Sequence, residues 1–312
     1  MQLPNYAYFK GQIVPYADAK IGVMTHAFNY GTGVFSGVRG YWNEEEEELF
    51  IFRPNDHFRR FRNSLKMMVM ESDLSEEKLI SILIELIQKE GYRQDIYIRP
   101  LAYFADEIIG VKLHDLHTEI TMFSVPFDKY VSNDTGAHVT FSSWRRLDDN
   151  MIPARGKITG AYVNTAFIKT DAVRAGFDEA IVLNQNGHLS EGSAENLFMV
   201  RDGKLVTPPV SDNILEGITR NTVMHLAKEE LGLEVVERSI DRTEVYICDE
   251  FFMTGTAAQV TAITKVDHRA IGSGKMGPIT SQLRGLYNNV VRGKIKKYRD
   301  WNTPIYEKMI VK

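Results

Sequence analysis

Residues 214–223 read ILEGITRNTV, a glycine-containing turn that runs directly into a helix predicted from about Ile218 to Leu231. The first N–H groups of a helix have no partner within the helix, and together with the helix dipole they favour a phosphate or another anion. Thr219 adds a hydroxyl group at the same place. A plain capped helix start is the alternative interpretation, and it would be preferred if this segment stood alone.

Two further segments place small residues where a ligand can approach the backbone. The first, 253–258, contains Gly255, Thr256, Ala257 and Ala258 after a predicted strand, and is a second candidate anion pocket. In the other, Lys157 lies between glycines at a predicted strand-to-helix junction. A Schiff-base lysine needs a partly desolvated pocket of this kind. These properties alone do not distinguish Lys157 from the other lysines.

Length and composition exclude several functional classes. The chain has 312 residues, 44% hydrophobic and 25% charged, which is typical of a globular protein large enough for two domains. A net charge of −4 supplies no basic field for nucleic acid or anionic lipid. The amino terminus lacks a signal pattern, and no apolar run approaches the ~20 residues that span a bilayer. We therefore expect a cytoplasmic protein without nucleic-acid or membrane partners.

A metal site is not expected either. Cys248 is the single cysteine, and it has no second thiol with which to form a disulfide or a zinc cluster. His114 and His117 lack a nearby third ligand. Two histidines alone are more often surface residues than metal ligands, so we predict no metal.

Local patterns predict alternating strands and helices in the first half of the chain. Asn55 or Asp56 is expected to cap one helix, and Ser75 to cap a second helix that ends at Gly91. The acidic run Glu44–Glu48 is too charged to bury and is expected at a solvated hairpin tip. Turn-forming residues then predict a linker at 127–136 between a small domain, 1–126, and a larger domain, 137–312.

The segment 272–277, GSGKMG, matches the G-x-G-x-x-G pattern of dinucleotide sites and is followed by Pro278. Such a site requires a βαβ unit near the start of a domain and an acidic residue on a second strand roughly 20 residues later. The region that follows, 286–299, is predicted to be helical. A loop without a nucleotide is therefore the preferred interpretation.

Taken together and in order, the motifs resemble those of the branched-chain amino acid aminotransferases of the pyridoxal-5′-phosphate (PLP) fold type IV class, from about Tyr8 to Tyr287. The matching segments are HAFNYGTGVFSGVR (26–39), YIRPL (97–101), SSW (142–144), SEGSAENLF (190–198), PP (208–209), GITR (217–220) and GTAA (255–258). The resemblance implies an α+β chain similar to D-amino acid aminotransferase. It also implies a small N-terminal α/β domain and a larger C-terminal domain with a β-barrel-like core.

The resemblance assigns the cofactor residues. Lys157 would carry PLP as a Schiff base and move the proton between the substrate carbon and the cofactor. Glu191 would face the pyridine nitrogen and keep it protonated, and Tyr162 would bind the phenolic oxygen. The remaining expected cofactor-binding residues, which include the phosphate cup, are Arg60, Leu215, Ile218, Thr219 and Thr256.

The resemblance also implies a substrate pocket in which one wall suits leucine, isoleucine and valine and polar groups meet the distal carboxylate of glutamate. The implied reaction is ping-pong transfer of the amino group between branched-chain L-amino acids and 2-oxoglutarate, in a homodimer or higher homo-oligomer. Arg99, Tyr30 and Tyr130 are expected to meet glutamate, and Val111 is expected to come from a partner subunit. The complete set of implied substrate-binding residues is Tyr30, Phe35, Gly37, Arg39, Tyr97, Arg99, Val111, Phe127, Tyr130, Thr256, Ala257 and Ala258.

Two departures from the bacterial members of the family lie in this pocket. Phe127 stands where tryptophan is common, and 106–111 replaces a more glycine-rich loop. D-amino acid or (R)-amine transaminases and aminodeoxychorismate lyase share the fold and are alternatives. A catalytically inactive metabolite-binding protein is an alternative from another class. Intact Lys157 and Glu191 argue against it.

Overall fold

The computed structural model describes residues 2–127 and 136–306, and the chain divides into two compact units. The first unit contains Met1–Asp128, Gly156–Gly160 and Asn289–Lys312, and the second contains Lys129–Arg155 and Ala161–Asn288.

The described residues form the following helices and strands. The helices are α1 (His26–Tyr30), α2 (Pro54–Met67), α3 (Glu76–Glu90), α4 (Tyr162–Arg174), α5 (Ile218–Leu231) and α6 (Pro278–Val291). The strands are β1 (Tyr6–Phe9), β2 (Gln12–Pro15), β3 (Gly33–Phe35), β4 (Val38–Asn43), β5 (Glu48–Phe52), β6 (Ile96–Phe104), β7 (Thr118–Pro126), β8 (Ala137–Arg145), β9 (Glu179–Leu183), β10 (Leu189–Gly192), β11 (Asn196–Arg201), β12 (Lys204–Thr207), β13 (Val235–Glu237), β14 (Glu250–Gly255), β15 (Gln259–Val266), β16 (Arg269–Ala270) and β17 (Asn302–Pro304).

The first unit is built on an antiparallel sheet with the strand order β17-β5-β4-β6-β7-β1-β2, to which β3 adds by pairing with β6. Arg39 on β4 lies opposite Tyr97 on β6. Because side chains alternate between the faces of a strand, Tyr97 and Arg99 point to the same side of β6. This register brings several of the predicted substrate residues onto neighbouring strands.

The second unit is built on a mixed sheet with the strand order β10-β9-β8-β15-β14-β11-β12-β13, and β16 pairs with β15. Strands β8 and β9 are parallel, and α4 connects them. Ile168 and Ala172 of α4 pack against Ala180 and Val182 of β9. The edge strand β10 carries Glu191. One predicted anion pocket lies in the connection after β14, and the other lies in the connection before α5.

Several local predictions are confirmed by the observed helix ends. Ser75 caps α3 by accepting a hydrogen bond from the N–H of Lys78 at 3.2 Å, and Gly91 ends the helix in a left-handed conformation. Helix α5 spans the predicted residues. The expected cap of α2 was wrong, because the N-cap is Arg53 and Pro54 occupies the first turn. Proline suits that position since its ring presets the backbone angle and its missing N–H needs no partner.

The predicted solvation of the whole acidic run 44–48 was also wrong at its last residue. Glu48 is buried on β5, and its Oε1 atom accepts hydrogen bonds from the backbone N–H groups of Ile305 (2.9 Å) and Tyr306 (2.8 Å). A buried carboxylate is tolerated when backbone donors satisfy it in this way. The partners come from the far end of the chain, so the local charge pattern could not predict them.

The observed units differ from the predicted division, which had one linker, because the chain returns to the first unit twice. Ile158 forms an isolated bridge with Val34, and β17 pairs with β5. Both contacts join segments that are far apart in the sequence. Turn-forming residues predict where a linker can lie, but they do not predict that a later segment of the chain belongs to the first unit.

Candidate active site

Lys157 is held on both sides by residues of the first unit. Its carbonyl oxygen accepts a hydrogen bond from the N–H of Phe35 at 2.9 Å, and its own N–H donates to Ser64 Oγ at 3.2 Å. The Lys157 Nζ atom lies 5.0 Å from the centroid of the Phe35 ring. The backbone of the lysine is therefore fixed while its amine lies on an aromatic surface.

Ser64 connects Lys157 to the predicted phosphate-binding residue Arg60. The Ser64 hydroxyl donates to the carbonyl oxygen of Arg60 at 3.1 Å, one turn earlier on α2. Sequence reasoning missed Ser64, although its spacing of four residues from Arg60 places both on one helix face. This residue ties the backbone of the lysine to the helix that carries the arginine.

A buried histidine lies among the same cations. His57 is fully buried, and its Nδ1 atom is 3.1 Å from Ser36 Oγ. Burial, followed by the positive charges of Arg60, Arg53 and Lys157, holds the pKa of His57 well below its usual range. His57 is therefore neutral and adds no charge to this cluster.

The aromatic and polar residues predicted to select the substrate form one connected cluster. The Arg99 guanidinium lies 4.3 Å from the centroid of the Phe35 ring, and its Nη2 atom donates to Tyr97 Oη at 2.7 Å. A Cβ atom on Gly37 would approach Tyr97 Oη to 2.5 Å, so the absence of a side chain at Gly37 makes room for the tyrosine. The Phe35 ring thus contacts both Arg99 and Lys157.

Arg39 and Phe127 extend this cluster. The Tyr97 and Phe127 rings are 5.4 Å apart, and Arg39 Nη2 donates to the carbonyl oxygen of Phe127 at 2.9 Å. Arg39 is 2% exposed and lies 3.6 Å from Asp95. Its Nε and Nη1 atoms have no hydrogen-bond partner within 2–127 and 136–306. Asp95, which sequence reasoning missed, pairs with Arg39 from outside the quoted motifs.

The remaining substrate residues of the first unit lie beside the loop at 106–111. Tyr30 Oη accepts a hydrogen bond from the N–H of Gly110 at 3.2 Å. Val111 follows on the same loop and is 87% exposed. Tyr130 lies outside the described residues.

In the second unit, both carboxylate oxygens of Glu191 have donors. Oε2 accepts from the N–H of Leu215 at 3.0 Å, and Oε1 lies 3.1 Å from Arg146 Nη2. Glu191 is buried, and Arg146 is also held through Nε by the carbonyl oxygen of Asn213. Sequence reasoning missed Arg146, which follows the quoted SSW motif by two residues. The pair fixes the orientation of the carboxylate and balances its charge.

The predicted anion site at the start of α5 has a glycine at the N-cap position. Gly217 is the N-cap residue and makes no side-chain cap hydrogen bond. A Cβ atom on Gly217 would lie 1.9 Å from Asn196 Oδ1, while Asn196 Nδ2 donates to the carbonyl oxygen of Leu215 at 2.9 Å. Ile218 and Thr219 occupy the first turn and are buried. Gly217 and Asn196 therefore determine how closely a ligand can approach these N–H groups.

The second predicted anion site is the turn between β14 and β15. Thr256, Ala257 and Ala258 form this turn, and Thr261 Oγ1 donates to the carbonyl oxygen of Ala258 at 2.7 Å. Tyr162 is the first residue of α4 and is half-buried. The predicted cofactor residues of this unit thus lie at or near the ends of helices and strands.

Residues 2–127 and 136–306 contain no group of three or more histidine, cysteine, aspartate or glutamate residues that could hold a metal ion. Among the same residues, every helix is too short or too polar to cross a lipid bilayer.

Comparison with known proteins decides the family. The family model described as Amino-transferase class IV matches residues 33–266. The chain belongs to the class IV aminotransferases. This aminotransferase is 49% identical over 304 residues to a probable branched-chain-amino-acid aminotransferase of Aquifex aeolicus, with 97% of this chain and 98% of the relative covered.

Solved structures give the same result. The branched-chain aminotransferase of Thermoproteus uzoniensis with norvaline superposes with a TM-score of 0.93 at 40% identity, and 97% of this chain and 100% of that chain are covered. The T.th. branched-chain amino acid aminotransferase, complexed with N-(5′-phosphopyridoxyl)-L-glutamate, has a TM-score of 0.91 at 39% identity, with 97% and 99% covered. The expected fold and the expected PLP-dependent aminotransferase family are confirmed. The individual residue roles remain predictions.

Proposed function

We propose that this aminotransferase transfers the amino group between branched-chain L-amino acids and 2-oxoglutarate by a ping-pong mechanism, with Lys157 as the catalytic lysine. The observation that carries the proposal is the position of the Phe35 ring, whose centroid is 5.0 Å from Lys157 Nζ and 4.3 Å from the Arg99 guanidinium. An apolar surface beside the reactive amine suits an aliphatic side chain, and a cation on the same surface suits a carboxylate.

The chemistry of the donor set fits PLP. Lys157 offers an amine for the aldehyde, Glu191 an oriented carboxylate for the pyridine nitrogen, and Tyr162 a phenol for the ring oxygen. The uncapped start of α5 and the side chain of Arg60 suit the phosphate. When bound, PLP supplies an aldehyde carbon and an electron-accepting ring, which no protein side chain can replace.

Each residue has a distinct task in this proposal. The Lys157 amine would take the proton from the substrate α-carbon and hold it at Nζ. Glu191, whose carboxylate is oriented by Leu215 and Arg146, would hold the pyridine nitrogen of the cofactor. The N–H groups and the hydroxyl group at the start of α5 would bind the phosphate. Phe35 lines the pocket and limits the access of water to the amine.

Recognition of two kinds of side chain follows from the same cluster. The Arg99 guanidinium lies against Phe35 and is held by Tyr97, so it can meet a distal carboxylate without covering the aromatic wall. The relatives support this dual recognition. One was solved with norvaline, whose side chain is aliphatic, and another with a phosphopyridoxyl derivative of L-glutamate.

Arg99→Ala tests the proposal. Without the cation, the distal carboxylate of glutamate stays unpaired in a desolvated pocket, at a cost of about 2–4 kcal/mol, or roughly 30- to 1000-fold in kcat/KM. Leucine loses only packing contacts. The measurement is the spectral change of the bound cofactor in separate half-reactions with L-glutamate and L-leucine.

The controls define how the proposal would fail. Lys157→Ala should abolish transamination and the cofactor absorbance band, whereas Lys204→Ala, at an exposed ion pair with Glu234, should retain both. Equal losses for both substrates in Arg99→Ala would contradict dual recognition. If the wild-type enzyme preferred (R)-1-phenylethylamine to L-glutamate as the amino donor, the proposed substrate class would be wrong.

A homodimer is part of the proposal. Val23, Phe28, Ile109 and Val111 are large apolar residues of the first unit that are more than half exposed. The segments that carry them contact each other, since Thr25 forms a β-bridge with Glu107. A contiguous apolar surface of this kind is typical of an interface between subunits. Sedimentation of the purified protein should show a dimer or a larger oligomer, and a monomer at micromolar concentration would contradict it.

A further inference from the structure

Arg39 is a buried cation on β4 whose N–H groups are only partly satisfied. Its side chain is 2% exposed, and its guanidinium carbon lies 5.0 Å from the centroid of the Tyr41 ring and 5.2 Å from that of the Phe127 ring. Nη2 donates to the carbonyl oxygen of Phe127 at 2.9 Å, whereas Nε and Nη1 have no hydrogen-bond partner in the described part of the chain. Buried polar groups normally have partners, so these two atoms indicate a place for an acceptor from outside the chain.

Arg39 lies among the residues that are proposed to select the substrate. The register of β4 and β6 pairs it with Tyr97, and directly opposed residues point to the same face of a sheet. Tyr97 accepts a hydrogen bond from Arg99 at 2.7 Å and packs against Phe127. Every amino acid and 2-oxo acid carries a carboxylate beside the reacting carbon, and a carboxylate is the acceptor that suits a guanidinium group.

The carboxylate of the protein that pairs with Arg39 is held at a distance. Asp95 Oδ2 lies 3.6 Å from Arg39 Nη2, which is too long for a hydrogen bond. Arg292 instead binds both oxygens, since Nη1 donates to Oδ1 at 2.9 Å and Nη2 donates to Oδ2 at 2.8 Å. The N–H of Trp42 adds a third hydrogen bond, to Oδ1 at 2.9 Å. The acceptors of Asp95 are thus occupied by donors other than Arg39.

Arg292 is itself fixed to the end of β4. Its Nη1 atom also donates to the carbonyl oxygen of Trp42 at 2.6 Å, and Asn43 Nδ2 donates to the carbonyl oxygen of Arg292 at 2.9 Å. The hydrogen bond with Asp95 raises the pKa of Arg292, which keeps the guanidinium charged. Arg292 lies beyond residue 266, where the match to the family model ends. The strand that carries Arg39 therefore also anchors the residue that holds Asp95.

We propose that Arg292 is a positioning residue for substrate recognition, which holds Asp95 back from Arg39 and so keeps two N–H groups of Arg39 available for the α-carboxylate. This inference rests on the proposed function, which supplies the carboxylate substrates. Asp95 is contacted by both arginines, so a bound substrate provides a second negative charge for the cluster. Without Arg292, Asp95 would pair directly with Arg39 and compete with the substrate.

The Kd of 4-methylvalerate for the PLP-loaded enzyme tests the proposal, because this compound is leucine without its amino group and does not react. Arg292→Gln releases Asp95, and we expect the Kd to rise about tenfold. In the double variant with Asp95→Asn the competing charge is gone, so its Kd should return to within about twofold of wild type. Isothermal titration calorimetry measures each Kd. Wild-type affinity in Arg292→Gln, or a double variant that binds as weakly as Arg292→Gln, would overturn the proposal.

Lys294→Gln is the matched control, because it removes the same charge two residues away. Lys294 pairs with Glu45 at the surface at 2.6 Å. Its substitution should leave the Kd of 4-methylvalerate unchanged. An equal loss of affinity in Lys294→Gln and Arg292→Gln would mean that the charge of this segment acts without Asp95, and the positioning role would be wrong.

Steady-state kinetics separate this role from that of Arg99. In Arg292→Gln the KM for L-leucine and the KM for L-glutamate should rise by the same factor, since both carry the α-carboxylate, and kcat should stay within about twofold. A lower kcat at unchanged KM would contradict the proposal. If 4-methylvalerate binds as expected but wild type transfers no amino group, the proposed function fails while the positioning role stands.

Discussion

Helices α5 and α6 both begin after glycine-containing turns, but their first N–H groups meet different surroundings. At α6, Glu250 Oε1 accepts from the N–H of Ile279 at 2.9 Å, and Oε2 accepts from the N–H of Thr280 at 2.7 Å. At α5, the N-cap residue is Gly217, which has no side chain with which to cap the helix. One helix start is satisfied by a carboxylate of the protein, and the other is the one that we propose for an anion from outside.

After the dinucleotide-like motif at 272–277, the carboxylate of Glu250 already accepts hydrogen bonds from the first N–H groups of the helix. A Cβ atom on Gly277 would lie 2.1 Å from Glu250 Cδ, so this glycine makes room for the buried carboxylate. At α5, Gly217 instead makes room for Asn196. The same residue type before the first helical residue therefore makes room for a capping carboxylate in one case and for an asparagine beside the proposed ligand site in the other.

Removing the internal cap should produce the largest effect. Glu250→Ala leaves two backbone N–H groups and the Thr280 hydroxyl without their acceptor, and we expect a loss of about 3 kcal/mol in the free energy of unfolding. The Kd for PLP should be unchanged. Chemical denaturation of the apoenzyme and a PLP titration measure the two quantities. Weaker PLP binding at unchanged stability would reverse the roles assigned to α5 and α6.

Adding a methyl group at Gly217, beside the proposed phosphate site, should weaken PLP binding and leave the stability of the apoenzyme nearly unchanged. In Gly217→Ala the new Cβ atom displaces Asn196, which supports Leu215, and Leu215 in turn binds Glu191. We expect the Kd for PLP to rise about 10- to 100-fold, which corresponds to about 1.4–2.8 kcal/mol.

The matched control for this substitution is Gly285→Ala within α6, where a Cβ atom meets nothing within 4 Å. That variant should bind PLP like wild type and be slightly more stable, because alanine favours the helix. Equal PLP affinity in Gly217→Ala and Gly285→Ala would remove α5 from the cofactor site.

The smallest expected effect is the response to inorganic phosphate. Phosphate at about tenfold its own Kd should stabilise the wild-type apoenzyme by about 1.4 kcal/mol, since it binds the folded state at α5. Glu250→Gln should retain this response, and Gly217→Ala should lose it. Thermal unfolding with phosphate, against chloride at equal ionic strength, measures the difference. A response that Glu250→Gln loses would place the bound phosphate at α6.

Sequence patterns predicted the elements whose signals are local. The Ser75 cap, the Gly91 stop and the bounds of α5 depend on residues within a few positions of each other. The cap of α2 was predicted wrongly because Asn55 and Asp56 are good caps in isolation, yet Pro54 already starts the helix. The capping preference of single residues predicted a helix end correctly where no competing residue, such as a proline, lay beside it.

Less of the candidate site could be predicted from local sequence patterns. No local property separated Lys157 from other lysines, and the resemblance to a family supplied its role. Arg146 and Ser64 were missed because their importance lies in contacts with Glu191 and Lys157, which are distant in sequence. Such residues become visible only after the strands and helices are placed.

The sequence by itself determined the cap and end of α3, the bounds of α5, the family and one helix start that could bind an anion. The reason is that hydrophobic periodicity, caps and glycine turns act over a few residues. Tertiary structure alone decided that the first N–H groups of α6 are capped, because Glu250 reaches α6 from β14. It also decided that Glu48 is buried, since burial and hydrogen-bond partners depend on segments that meet only in the folded chain.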